Sequence, residues 1–249
     1  MSVAVTQAAV EAIVRRAEAR FDRERQRLFV ATDRLFGVLM LGQWAFGILI
    51  ALTLSPYSWE GRVHTVHNHV WAATVLGGIV SSLPLWLIYS RPGSVLTRHV
   101  VAAAQMLWSA LLIHLTGGRI ETHFHVFGSL GILAGYRDWS VLVTATLVVA
   151  TDHLVRGIFW PESVYGVASP EWWRFLEHAF WVVFAVAFLA VQCRKGLRDM
   201  RAIAERGAEL EALSENEWRK SSVTERDRDG SDVMPVIAGM PAPGPGAER

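Results

Sequence analysis

The sequence predicts an all-α protein, a polytopic bundle of six transmembrane helices with cytoplasmic termini and a short C-terminal stalk helix. Three observations carry that expectation. The 249 residues are 52% apolar with 11 Trp, a composition rich for a water-surrounded domain. Six apolar runs approach the ~20 residues that a helix needs to cross a hydrocarbon core. The basic residues gather outside those runs in a pattern that orients a membrane protein.

Other classes fit poorly. The net charge of +1 points to no polyanionic partner, and the basic residues, almost all Arg, do not interleave with aromatics as a nucleic-acid groove does. The lone Cys193 excludes an intrachain disulfide framework and a thiolate zinc ribbon; at most it bridges two chains. No short apolar core with a small-residue cleavage site follows Met1, so internal segments, not a removable signal peptide, are expected to direct the chain to the membrane.

Residues 1–30 read as a cytoplasmic amphipathic helix, with Val10, Ile13, Val14, Ala17 and Phe21 at helical spacing and Arg over the remaining surface. The expected seat is the anionic inner leaflet, with packing on a partner chain or on the C-terminal helix as the alternative. Residues 31–193 hold the spans, predicted at 35–55, 70–89, 99–116, 120–136, 139–160 and 172–193. A kink is expected at Pro84. The fourth span is short and carries Glu121, His123 and His125, so it crosses only with its polar first turn inside the bundle or at the interface.

Seven Arg between positions 15 and 34 precede the first span, and Arg194, Lys195, Arg198, Arg201 and Arg206 follow the sixth. Both ends are therefore expected in the cytoplasm, with the membrane crossed several times. Trp160, Trp172 and Trp173 read as an interfacial belt around the 161–170 loop.

This topology sorts the nine histidines. Only His99 falls at the inner face; His64, His67, His69, His114, His123, His125, His153 and His178 fall at the outer one. Ionisable groups beside a span are costly and mark functional sites by default, and neutral imidazole is the commonest metal ligand. The expected ligand set is His67, His69, His114, Glu121, His123, His125, His153 and His178, oriented by Asp152, Arg156 and Glu177. Asp152 and Arg156 are four apart and read as a structural pair. On a regular helix His123 and His125 diverge, and so do His67 and His69, which predicts a non-helical entry to the second span. Nitrogen and oxygen ligation suits zinc, copper, nickel or iron alike, and a haem-type group is the alternative cofactor.

Beyond Cys193, residues 194–220 form a charged helix in which Gly196, Met200, Ile203, Gly207, Leu210 and Ser214 step by four and three, a seam that pairs two chains as a signalling stalk. Residues 221–249, rich in Ser, Asp, Gly and Pro, are expected to be disordered.

The segment GGRIETHFHVFGSLGILAGYRDW, with LIH before it, DHLVRGIFWPESVYGV after it, HNHVWAA upstream and WWRFLEHAFWVVF downstream, resembles the membrane input region of bacterial sensor histidine kinases and related signalling proteins. The similarity spans roughly residues 28–205. It implies a sensory module whose last helix leads into a transmitter, with recurrent polar positions at His67, His69, His114, Glu121, His123, His125, Asp152, His153, Glu177 and His178. Ala185 and Val186 stand where that pattern tends to carry an acidic pair. The partners expected are a second copy of the chain, membrane lipid and a separate histidine kinase or other cytoplasmic transmitter, with no nucleic acid. No catalytic activity is expected of the chain itself. The alternative is a membrane metalloenzyme or haem-type electron-transfer protein using the same histidines. Reporters fused after Arg206 should be active in the cytoplasm and reporters within 161–170 outside it; the reverse pattern would invert the histidine assignment.

Overall fold

The computed structural model describes residues 2–60 and 63–229. The chain is all-α apart from one hairpin. Helix α1 (Ser2–Leu54) leads to strands β1 (Tyr57–Glu60) and β2 (Val63–Val66), which pair antiparallel. Then come α2 (Asn68–Ser90), α3 (Val95–Leu115), α4 (Ile120–Leu133) with a 3-10 turn (Ala134–Tyr136), α5 (Trp139–Phe159), the short α6 (Glu162–Tyr165) and α7 (Arg174–Asp229). Five helices, α1, α2, α3, α5 and α7, are long and apolar enough to cross a membrane. The expectation of six such helices is thus corrected: α4 has 14 residues, about 21 Å at 1.5 Å each, short of a ~30 Å core.

The described residues form two compact units, 18–204 and 2–17 with 205–229. In the second, Arg16 pairs with Glu215 at 2.9 Å, so the amphipathic start of α1 meets the C-terminal helix, the alternative foreseen for it. Neither α1 nor α7 breaks where the sequence suggested boundaries, and α7 stays helical to Asp229 instead of ending near 220. Most of the expected disordered tail lies outside the described residues.

Local chemistry punctuates the larger unit. Ser94 accepts a hydrogen bond from Thr97 N–H to start α3, and Asp138 does the same from Ser140 N–H to start α5, each satisfying a donor that the first helical turn leaves open. Gly93 has φ +75°, a conformation that favours glycine. Helix α2 runs through Pro84 and holds a π segment at Ala72–Leu76. His67 precedes that helix in extended conformation (ψ 145°), the non-helical entry the sequence required.

Helix α3 is the core element, with Val101, Met106, Trp108, Leu112 and Ile113 almost wholly buried. Its direction follows from its contacts. Near its start, Arg98 meets Asp138 at 3.1 Å and His99 meets Thr144 at 2.7 Å, both at the beginning of α5. At its end, His114 meets Ser163, just beyond α5, at 2.9 Å. The two helices are therefore parallel, and α4 must return between them. Gln105–Ser129 at 3.0 Å and Tyr136–Asp33 at 2.6 Å trace that return.

The bundle thus has two polar ends. At one, Asp33 accepts from Tyr136 Oη–H and Gly93 N–H, while Arg98 donates to Asp138 and to the Gly93 carbonyl with its guanidinium 3.8 Å over the Phe29 ring. Hydrogen bonds from Ser140 and the Arg98 charge hold the Asp138 carboxyl below the usual carboxylate range despite its partial burial. Cys193 is buried there with Sγ 3.5 Å from the Ala134 carbonyl, so it is not presented to a second chain. The other end carries most of the histidines. Tyr136→Phe should leave one oxygen of a buried carboxylate without its donor and lower unfolding stability by about 1.5–3 kcal/mol, measurable by thermal melting in detergent; an unchanged melting point would show the pair contributes nothing.

Candidate functional site

The Gly117–Gly118 turn after α3 creates the histidine end. Both residues have positive φ, and a Cβ on Gly118 would collide with the backbone of Gly166, itself at φ +68°. Only glycine permits this approach, which docks the α6 turn against the end of α3. The α6 turn supplies Ser163 and Tyr165; α5 supplies His153; α4 and α7 supply His123 and His178 from their first two turns.

The expected single set of eight ligands separates into distinct groups. In the first, His123, His153 and His178 converge from three helices, with ring centroids 5.5 Å (His123–His153), 5.4 Å (His123–His178) and 6.1 Å (His153–His178) apart, and Tyr165 stands 5.5 Å from His178. In the second, His67, His69 and His114 form a chain, with 4.4 Å and 5.0 Å between successive rings and Trp160 against His114 at 4.8 Å. His125 belongs to neither. It diverges from His123 on regular α4, as helical geometry requires, and bonds Gln43 at 2.9 Å and Ser109 at 2.8 Å inside the bundle. Glu121 is exposed and joins no group, although it stands one helical turn before His125. His64 lies on the hairpin against Tyr57, and His99 is at the opposite end, as expected.

Hydrogen bonds decide what each imidazole can offer. His123 Nδ1 lies 2.9 Å from the Arg119 carbonyl and His178 Nδ1 lies 3.0 Å from the Arg174 carbonyl, each four residues back. A carbonyl only accepts, so each Nδ1 carries the proton and each neutral ring keeps a lone pair on Nε2. His123 Nε2 is buried without a partner. His153 is 6% exposed, with Nδ1 3.2 Å from Asp152 Oδ2, an ion-pair distance that lacks hydrogen-bond angle. His67 is the opposite case: its Nδ1 accepts from His69 N–H at 3.1 Å, which places the proton of the neutral ring on Nε2. The two groups therefore differ in chemistry as well as in place.

Asp152 and Arg156 form the foreseen pair as a two-pronged fork, at 2.8 Å and 2.6 Å. Arg156 also donates to Ser163 Oγ at 2.8 Å, and that oxygen contacts His114 Nδ1. A continuous polar chain, His114–Ser163–Arg156–Asp152–His153, thus joins the groups. Sequence reasoning missed Ser163 and Tyr165, which carry no distinctive spacing, and Gln43 and Ser109, which look like ordinary span residues. Glu177 is exposed and borders a cleft of about 660 Å³ between α4, α5 and α7, into which the His123, His153 and His178 group faces. Among the described residues, no three His, Cys, Asp or Glu side chains stand arranged as a metal centre.

Fold and site together define an all-α protein with membrane-length helices and a histidine-lined cleft at one end of the bundle. No protein-family profile matches the sequence, and no solved structure is similar. The chain is similar to "Transducer protein Htr8" of Halobacterium salinarum, 27% identical over 151 residues, 55% of this chain and 23% of the relative. The chain therefore spans about a quarter of that relative's length. That relative is named a transducer, and this chain has five helices long and apolar enough to cross a membrane.

The hydrogen bonds separate structural from available imidazoles, and substitution should do the same. His125→Ala strips partners from buried Gln43 and Ser109 and should cost about 1–3 kcal/mol of stability. His178→Ala removes a half-buried ring whose only bond is to a carbonyl of its own helix, and should cost under about 1 kcal/mol. Chemical unfolding in detergent would rank them; the reverse order would contradict the division.

Proposed function

We propose that the chain is a membrane-embedded signalling input module whose site is the His123, His153 and His178 group, that the site binds a transition metal ion, and that α7 carries its state to a cytoplasmic transmitter. The single observation behind this reading is the convergence of three imidazoles from three helices, two of them locked with Nε2 lone pairs free. Imidazoles sharing a tetrahedral metal at ~2.1 Å have ring centroids about 5–5.5 Å apart. The observed 5.4–6.1 Å requires a closure of about 1 Å or less. Asp152 beside His153, and the carbonyls behind His123 and His178, are the partners that orient metal-binding histidines. Zinc, copper, nickel and iron all suit nitrogen ligation.

The other expected ligands take different roles in this proposal. His67 has its Nδ1 lone pair engaged, His125 is structural, and Glu121 is remote. His69 and His114 belong to the neighbouring chain, which the Arg156 fork couples electrostatically to the metal site. The bound ion would supply positive charge that draws the three rings together, and the residues of the chain do the rest.

Transmission follows from α7. Glu177 and His178 lie in its first turns, and the helix continues unbroken to Asp229. A ligand shifts two states only by its differential affinity for them, so His178 must be drawn toward His123 and His153 in one state and released in the other. Helix shifts of about 1–2 Å are the usual scale of such switching. The termini are cytoplasmic in this reading, and α4 with its 3-10 turn makes the sixth crossing. Its 17 residues extend about 27 Å, and His123 of its first turn is buried in the bundle. A second copy pairs through the stalk, where Leu210 and Leu213 are exposed, and a separately encoded kinase or similar transmitter reads the result.

Metal analysis of detergent-purified protein tests the site. His123→Ala, His153→Ala and His178→Ala should each lower bound metal at least tenfold relative to wild type, while His67→Ala and His99→Ala should not. Equal metal content in all five variants would end the metal reading.

A further inference from the structure

We propose that the cleft between α4, α5 and α7 binds a lipid-soluble aromatic alcohol of the hydroquinone class, held by O–H donation to Nε2 of His123 and His178. The inference goes beyond the signalling reading and requires no metal. Its basis is the disposition of groups around a space of about 660 Å³, within the size range of small-molecule sites.

The polar groups lining the cleft are mostly acceptors. The Nε2 atoms of His123 and His178 are lone pairs, because each Nδ1 proton is committed to a backbone carbonyl, and the neighbouring Glu177 is a carboxylate when ionised. A ligand whose polar atoms only accept, such as a quinone, finds no donor on His123 or His178. A ligand with hydroxyl donors satisfies them. His123 is 6% exposed and its Nε2 has no protein partner, a buried acceptor of the kind that costs about 1–3 kcal/mol unless something donates to it.

The remaining lining chooses the body of the ligand. Phe124, Phe127, Phe175, Trp181 and Phe184 surround the space, an aromatic wall suited to edge or offset contact with a flat ring. The cleft lies between helices long enough to span a membrane and the short α4 beside them. Phe124, Trp181 and Phe184 are also exposed outward, so an apolar tail can remain in lipid while the ring enters. Flat ring, hydroxyl donors and apolar tail together describe a membrane hydroquinone.

Calorimetric titration of the full chain in detergent, with metal removed by chelation and oxygen excluded, tests the proposal. The probes are decyl-hydroquinone, the matching decyl-quinone and 1-decanol. One equivalent of hydroquinone should bind, at least tenfold more tightly than either comparator. His178→Phe, which keeps the volume and deletes the acceptor, should weaken hydroquinone about tenfold and leave the quinone unchanged. Ala150→Phe, which fills the cleft without replacing a histidine, should abolish binding of both even if His178→Phe fails to fold. Equal affinity for hydroquinone and quinone, or undiminished binding in Ala150→Phe, would overturn the proposal. A chain that takes up no metal yet shows the hydroquinone preference would contradict the metal reading alone and uphold this one.

Discussion

A ring nitrogen that donates to its own helix cannot also donate to a ligand, and this constraint governs the histidine end. His123 and His178 each give the Nδ1 proton to a carbonyl four residues back, a bond within reach of a histidine in the first turns of a helix. The consequence is electronic as much as structural, because the lone pair is then fixed on Nε2 and aimed away from the helix. Where two such rings from different helices meet, with His153 beside them on α5, two acceptors face one space. A cation or a hydroxyl donor completes it.

The bundle makes that meeting possible through an unusual order of crossings. Parallel α3 and α5 form the centre, joined through Arg98–Asp138 at one end and His114–Ser163 at the other. The first turn of the short α4 buries His123 against His153 and His178, while Glu121 of the same turn stays exposed. The Gly118–Gly166 approach closes the same corner. At the opposite end, the Asp33–Tyr136 and Arg98–Asp138 bonds satisfy buried polar groups within the protein, which fixes the register of the helices and so the distances at the site.

Much of the fold was legible in the residues. Apolar runs placed α2, α3 and α5 within a few residues and located the apolar parts of α1 and α7, Asp152–Arg156 was readable from its spacing, and the extended entry at His67 followed from the alternation of His67 and His69. Length misled at α4, since apolar character continues to Tyr136 while the α-helix ends at Leu133. The long amphipathic helices concealed their continuity with α1 and α7, because a change from apolar to charged composition looks like a boundary although the backbone has no reason to break. Within the site, proximity to the outer face grouped all the histidines together. Their partition depended on azimuth and tautomer: His125 turns into the core toward Gln43 and Ser109, His67 accepts where His123 donates, and neither property is written in spacing.

The most direct test is nitrogen-15 NMR of the imidazole rings in protein labelled at histidine, free of metal and near neutral pH. Single substitutions of His123 and His178 would assign the two resonance sets. Both rings should be neutral, with the proton on Nδ1 and Nε2 unprotonated, and His67 should show the opposite tautomer. If His123 and His178 instead carry the proton on Nε2, their lone pairs do not face the cleft, and the site as described here does not exist.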